Sequence, residues 1–175
     1  NLKKLTADVK DSWSGGYATA LATAGSSGNS EYSTKRIAFE TIVDAMGGLC
    51  EEVANEKMRV PFELQDPKLE ESPFAKNSII DFTNNIKGIM DMYQGKFNED
   101  GKGLEDLVRI YNLSLDNDIK TKHGTAIAAL QAITVPFGEA IITQQTQVQT
   151  AMKKINELAE TLAEDLKPFV QQYGQ

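Results

Sequence analysis

Toward the end of the chain, Val148, Met152, Ile155, Leu158, Leu162, Leu166 and Phe169 follow one another at intervals of 4, 3, 3, 4, 4 and 3 residues, with charged and amide side chains between them. That spacing follows the 3.6-residue turn of an α-helix and not the two-residue repeat of a strand. A helix with one apolar face is stable only when something covers that face, most simply another helix of the same kind. The pattern recurs four times upstream. Leu5, Val9, Trp13 and Tyr17 mark a first helix reaching to about Ala24. Ile37, Ile42, Met46, Leu49 and Val53 mark a second, from about Ser33 to Met58, with Phe39 and Val43 widening its face. Ile79, Phe82, Ile86, Ile89 and Tyr93 mark a third. Leu115, Ile119, Ala126, Leu130 and Ile133 mark a fourth. No stretch alternates with period two, and no internal repeat has the spacing of a helical solenoid. The expectation is an all-α protein: a single domain over residues 1–175, folded as an up-down four-helix bundle with an extra short helix near Leu104–Tyr111 and the first helix packed alongside.

The breaks between helices are written in glycine and proline. Gly25-Ser26-Ser27-Gly28 is a flexible connection. Pro61 and Pro67 bracket a loop from about Val60 to Glu71 that is acidic at its end. Pro136 and Gly138 break or kink the fourth helix, and Pro168 marks where the last helix bends or frays. The pair Gly47-Gly48 falls inside the second helix, where each glycine costs roughly 1 kcal/mol against alanine. Close approach of another helix or a ligand is the expected reason, ahead of a local kink.

Composition excludes several classes. The chain is 41% hydrophobic and 25% charged, so it holds enough apolar residues for a core. No apolar run is long enough for a transmembrane segment. The net charge is −7 and no Lys/Arg cluster occurs, which argues against nucleic acid. The single cysteine, Cys50, lies in a helical pattern and reads as a small buried side chain. His123 is the single histidine, set in Lys-Thr-Lys-His-Gly-Thr with no second ligand near it, and reads as a boundary residue. No signal-peptide pattern opens the chain, which carries no weight if the chain is a fragment or a mature product.

The residues that packing does not explain lie between the second and third stripes. Glu71-Ser72-Pro73-Phe74-Ala75-Lys76-Asn77-Ser78 leads into Asp81, and the segment ends at Tyr93-Gln94-Gly95. Ser72 fits an N-cap with Pro73 in the first helical position, and a second start at Asn77 or Ser78 is also open. Gly95 sits where a C-terminal glycine is expected. Small polar residues at a helix start suit an anion or a polar ligand. Upstream, Glu52 and Glu56 stand four residues apart, so their carboxylates share a helix face. Two such carboxylates are what bundles use to hold metals, and are equally what a solvated acidic face looks like.

These two segments resemble the imelysin family, which includes iron-regulated protein A-like proteins. Ser72, Phe74, Asn77, Ser78, Asp81, Asn85, Gly88, Ile89, Tyr93 and Gly95 match the family stretch S-x-F-S-[DH]-N-[ST]-x-x-D, N-x-x-G-I and Y-x-G. Glu52-Val53-Ala54-Asn55-Glu56-Lys57-Met58 matches E-[LV]-A-x-E-[RK]-M. Ala75 and Lys76 depart from the family's serine and its Asp or His. The family also carries a G-x-H-x-x-E motif in the first of two helical halves, and no H-x-x-E occurs here. The chain therefore looks like the C-terminal half of a two-bundle imelysin-like protein. The resemblance implies a periplasmic, outer-membrane or cell-surface anchored lipoprotein engaged in iron uptake. Its site lies between the halves, with the N-terminal half as partner and a small ligand or metal bound. On that reading Ser72, Asn77, Ser78 and Asp81 line the ligand site, and Glu52 and Glu56 are the metal ligands for iron or another divalent ion. No catalytic residue is assigned in this chain. The alternatives are part of a metal-dependent peptidase, as the family was first named, and a purely structural or interaction bundle. Lys76 adds positive charge where the family has an acid or histidine, which locally favours an anion or organic carboxylate.

Overall fold

Each amphipathic stretch forms a helix, and two of the long ones run on through a proline, Pro61 and Pro168, the first of which was expected to end its helix. The computed structural model describes residues 1–175. In chain order the helices are α1 (Leu2–Ser12), continued through a π-helical turn (Trp13–Tyr17) into α2 (Ala18–Ala22); α3 (Lys35–Glu51), continued through a π-helical stretch (Glu52–Met58) into α4 (Arg59–Leu64); α5 (Ser78–Gln94); α6 (Leu104–Tyr111); α7 (Leu113–Gln131); α8 (Phe137–Thr143); and α9 (Gln145–Thr161), continued through a π-helical turn (Leu162–Leu166) into α10 (Lys167–Tyr173). A 3-10 turn spans Pro67–Leu69. There are no strands, only an isolated bridge between Phe97 and Glu99.

Helices α3, α5, α7 and α9 pack in a closed ring, α3 on α5, α5 on α7, α7 on α9 and α9 on α3. Cross-links fix their directions. Asp44 meets Lys167 and Asn55 meets Asn156, so α3 and α9 run antiparallel. Thr161 meets Lys122 and Gln144 meets Thr134, so α9 and α7 do too. Tyr93 meets Asp116 and His123 meets the Ile86 carbonyl, which sets α5 against α7. The bundle is therefore up-down-up-down. Its thirty-residue core includes Val53, Met58, Phe82, Ile86, Ile155 and Leu158. Phe82 meets Phe137 edge-on at 5.2 Å. Each fully buried side chain of this size stabilises the fold by about 1.5–3 kcal/mol.

The wide turns explain the prolines. Pro61 lies within α4 and Pro168 within α10, each shortly after a π-helical segment. There the i→i−4 ladder is already broken, so a missing N–H removes little. The expected loop from Val60 thus begins only after Leu64, where Gln65 takes a left-handed conformation (φ 51°). Gly95 ends α5 in the left-handed region (φ 66°), as expected of a C-terminal glycine. Helix α8 was not expected. It is set off by Pro136, which brings it down over the 67–70 turn.

Two further expectations are corrected. Ser72 does not cap a helix. Residues 73–76 form a turn, Lys76 is left-handed (φ 53°), and α5 starts at the second candidate position with Asn77 at its N-cap. Nor do Gly47 and Gly48 pack closely against another helix of this chain, because a Cβ on either would meet nothing within 4 Å. The first helix lies against the bundle only at its far end. No residue of α1, the π turn or α2 is buried. The Tyr32 hydroxyl, donating to that of Tyr17 at 3.2 Å, ties it to the start of α3.

Candidate functional site

The start of α5 is held by a closed set of hydrogen bonds among the residues that the sequence singled out. Asp81, one turn into the helix, accepts from Ser72 Oγ at 2.6 Å through one carboxylate oxygen and from Asn77 Nδ2 at 2.7 Å through the other. The Ser72 backbone N–H donates to Ser78 Oγ at 3.0 Å, and Ser78 Oγ donates to Glu70 Oε2 at 2.7 Å. A carboxylate in the first turn also complements the positive end of the helix dipole. All four predicted ligand-site residues, Ser72, Asn77, Ser78 and Asp81, are thus brought together, and mostly satisfy one another. Ser78 is buried, and Ser72, Asn77 and Asp81 are half-buried.

Glu70 is the residue that sequence reasoning missed. It is buried at the base of this network. The chain offered only an acidic stretch before Ser72, and nothing in its spacing distinguished the carboxylate that turns inward. Its burial depends on Gly138 of α8, where a Cβ would stand 2.6 Å from Glu70 Oε1 and 2.9 Å from Pro67 Cβ. Beside the network lies a cleft of about 620 Å³ whose lining includes Lys68, Glu70, Phe74, Lys76, Gly138 and Glu139. Phe74 stands fully exposed at this cleft.

Glu52 and Glu56 are exposed on the π-helical stretch. They do not join the Asp81 network directly. Lys57 pairs Glu52 with Glu71, its Nζ 3.2 Å from Glu52 Oε1 and 3.3 Å from Glu71 Oε1, and Glu71 precedes Ser72 in the chain. Burial lowers the Lys57 pKa, but its hydrogen bonds and charge attraction to Glu52 and Glu71 outweigh this and hold the ammonium above the usual lysine value. As a donor set for a transition metal, these residues are incomplete. No group of three or more His, Cys, Asp or Glu side chains converges in this chain, and the Glu52 carboxylate already carries an ammonium. His123 is half-buried, with Nε2 3.1 Å from the Ile86 carbonyl oxygen. Burial holds its pKa below the usual histidine value. Cys50 is buried and its thiol is pushed up to about 12, chiefly by burial. Neither residue faces the site.

Tyr93, from the third motif, serves the core. Its hydroxyl donates to the buried Asp116 Oδ1 at 3.0 Å, and Lys120 donates to Asp116 Oδ2 at 2.8 Å and Glu105 Oε1 at 2.7 Å. Burial, then Asp116, raises the Tyr93 pKa. The hydroxyl stays protonated and works as a fixed donor joining α5 to α7.

No helix is long and apolar enough to cross a membrane. Among curated proteins, the chain is 30% identical over 160 residues to iron-regulated protein A of Synechococcus elongatus, covering 89% of this chain and 44% of that protein. Among solved structures, an imelysin peptidase from Bacteroides ovatus superposes with a TM-score of 0.84 at 26% identity, over 97% of this chain and 51% of that one. A putative iron-regulated protein A precursor from Parabacteroides distasonis shares the fold, with a TM-score of 0.70 at 22% identity over 80% of this chain and 42% of that one. The chain thus spans about half the length of the relatives it matches. The imelysin family model matches residues 1–164, and with the two motif segments in their expected order and helical setting, the chain belongs to the imelysin family.

Proposed function

We propose that this chain forms one wall of a ligand-binding site in an iron-linked imelysin protein of the periplasm or cell surface, and that it is not catalytic by itself. The observation that carries the reading is the pre-set cluster of Ser72, Asn77, Ser78 and Asp81, braced from beneath by Glu70 and flanked in the chain by the ion pairs of Lys57 with Glu52 and Glu71. Such bracing fixes rotamers before a ligand arrives, which lowers the ordering cost of binding. Glu52 and Glu56 supply two carboxylates to a metal shell whose remaining donors come from the N-terminal half. The link to iron rests on the name of the Synechococcus relative. The periplasmic or surface location, with a lipid anchor, rests on the family resemblance.

The test uses the full-length protein and two probes, iron(II) and citrate, titrated calorimetrically. Asn77→Ala is expected to weaken binding of one probe about tenfold or more, the scale of a lost hydrogen bond to a charged group. Glu52→Gln with Glu56→Gln is expected to weaken iron(II) alone. A lowered melting temperature with unchanged affinity for both probes would reject the reading and leave the cluster as helix-start architecture.

A peptidase role for the whole protein is the second reading, favoured by the description of the Bacteroides ovatus relative. There this chain would supply substrate contacts and no hydrolytic group. Unchanged proteolysis in Glu52→Gln would remove its carboxylates from such a mechanism.

A further inference from the structure

We infer that the cleft between the 67–76 segment and α8 binds a free α-amino acid with an apolar side chain, its ammonium seated on the carboxylate of Glu70. The Asp81 cluster engages only the other oxygen of that carboxylate, through Ser78, so this ligand is separate from the one proposed there.

Two carboxylates are buried in this chain, Glu70 and Asp116, and they are served differently. Both oxygens of Asp116 are taken, Oδ1 by the Tyr93 hydroxyl and Oδ2 by the Lys120 ammonium. Glu70 is 7% exposed and accepts one hydrogen bond, from Ser78 Oγ to Oε2. Its Oε1 has no donor in the chain, and no lysine or arginine pairs with it. A carboxylate withdrawn from water without a cation is costly. The free oxygen is not sealed in, because the one side-chain atom that is both sealed and unpartnered is Asn85 Nδ2. It lies against Gly138, where a Cβ would stand 2.6 Å away. Glu70 and Gly138 both line the cleft of about 620 Å³, a size usual for small-molecule sites. A side chain at 138 would take the space beside that oxygen.

The other walls select the ligand. Phe74 stands fully exposed there, and Pro67, Pro73 and Pro136 extend the apolar surface around it. Lys68 and Lys76 are exposed on the lining and pair with no carboxylate of the chain, and Glu139 follows Gly138. Two carboxylates and two ammonium groups thus line one cleft beside an aromatic ring. A simple amine would satisfy Glu70 and meet the lysines as like charges, and a simple anion would do the reverse. A zwitterion with an apolar side chain meets all three features, with ammonium on Glu70, carboxylate toward the lysines and side chain against Phe74. The three prolines restrict the backbone of the walls, which lowers the ordering cost of binding.

Calorimetric titration of the full-length protein with L-phenylalanine and L-leucine tests this, with N-acetyl-L-phenylalanine lacking the ammonium and phenethylamine lacking the carboxylate. Both amino acids are expected to bind, and the N-acetyl compound at least about tenfold more weakly, the scale of a lost hydrogen bond to a charged group. Glu70→Gln keeps an acceptor for Ser78 Oγ and turns an amide N–H₂ toward the cleft, so it is expected to weaken both amino acids at least about tenfold. Lys68→Gln with Lys76→Asn, on exposed side chains outside the hydrogen-bonded cluster, is expected to weaken L-phenylalanine about threefold and leave phenethylamine unchanged. Phe74→Ala is expected to weaken L-phenylalanine about threefold or more. Binding of neither amino acid at millimolar concentrations overturns the proposal, as does equal binding of L-phenylalanine and its N-acetyl form. Asn77→Ala separates the two sites, because it is expected to leave L-phenylalanine affinity unchanged whatever it does to iron(II) or citrate. A loss with Asn77→Ala as large as with Glu70→Gln would place the amino acid on the Asp81 cluster and overturn the assignment to this cleft.

Discussion

The first and last helical arms of the chain are built alike and end up in opposite environments. Residues 2–22 and residues 145–173 each carry an apolar stripe, and each is interrupted by a five-residue π-helical turn. Along the last arm, Val148, Ile155, Leu158, Leu162, Leu166, Phe169 and Val170 are buried, whereas along the first arm not one residue is. The difference lies in what stands opposite. The last arm lies between α3 and α7, whose stripes face it, and the first meets the bundle only around Tyr17. An amphipathic pattern therefore specifies a helix and a face, and leaves open which molecule covers the face.

The sharpest way to break this comparison is to remove matched leucines. Leu158→Ala, in a fully buried site, is expected to destabilise the chain by about 3 kcal/mol. Leu5→Ala, on the bare stripe, is expected to change stability by less than about 0.5 kcal/mol. Urea unfolding of this chain measures both. A large Leu5→Ala effect would mean that α1 is covered by another part of the fold.

Glycines sharpen the contrast between the closed and open sides. Gly138→Ala forces a methyl against Glu70 and Pro67 and is expected to cost about 2 kcal/mol. Gly48→Ala fills open space within a helix and is expected to stabilise this chain by about 0.8 kcal/mol. The same urea titrations decide. If Gly48→Ala also destabilises, the space at that glycine is taken up within the chain itself.

The smallest expected effect concerns acid stability on the closed side. Burial opposes ionisation of Glu105, but hydrogen bonds from Lys120 and Gln94 and the charges of Lys120 and Arg109 outweigh it, so its carboxyl lies below the usual range. Between that lowered pKa and the unfolded value of about 4.3, the unfolded chain binds more protons than the native one. The stabilisation is therefore present above that window and lost as pH falls through it. Glu105→Gln is expected to flatten the decline of melting temperature on acidification from about pH 6 to pH 3. An unchanged slope would mean that the Glu105–Lys120 pair contributes nothing to acid sensitivity.

Much of the fold was legible because helix formation is a local matter. The stripes placed α3, α5, α7 and α9, and the glycine at position 95 placed the end of α5. The extent of Leu104–Tyr111 was read directly. Pro61 misled, because the π-helical stretch that precedes it leaves no periodic signature in the chain. Helix α8 was missed because its stripe is too short to separate from the break at Pro136. Of the site, the motif residues were found together, yet Glu70 was not. Which carboxylate turns inward depends on Gly138, 68 residues further along.

The sequence by itself determined that this protein is all helical, where most helices lie, which faces are apolar and which family it belongs to. These follow from side-chain periodicity and short motifs, where each residue's role depends on neighbours within a few turns. Only the tertiary structure decided that Ser72, Asn77, Ser78 and Asp81 satisfy one another, that Lys57 occupies Glu52, and that Gly48 and the α1 stripe face outward. Those outcomes depend on contacts between segments far apart in the chain, and a one-dimensional pattern records that a face needs a partner without recording which partner arrives.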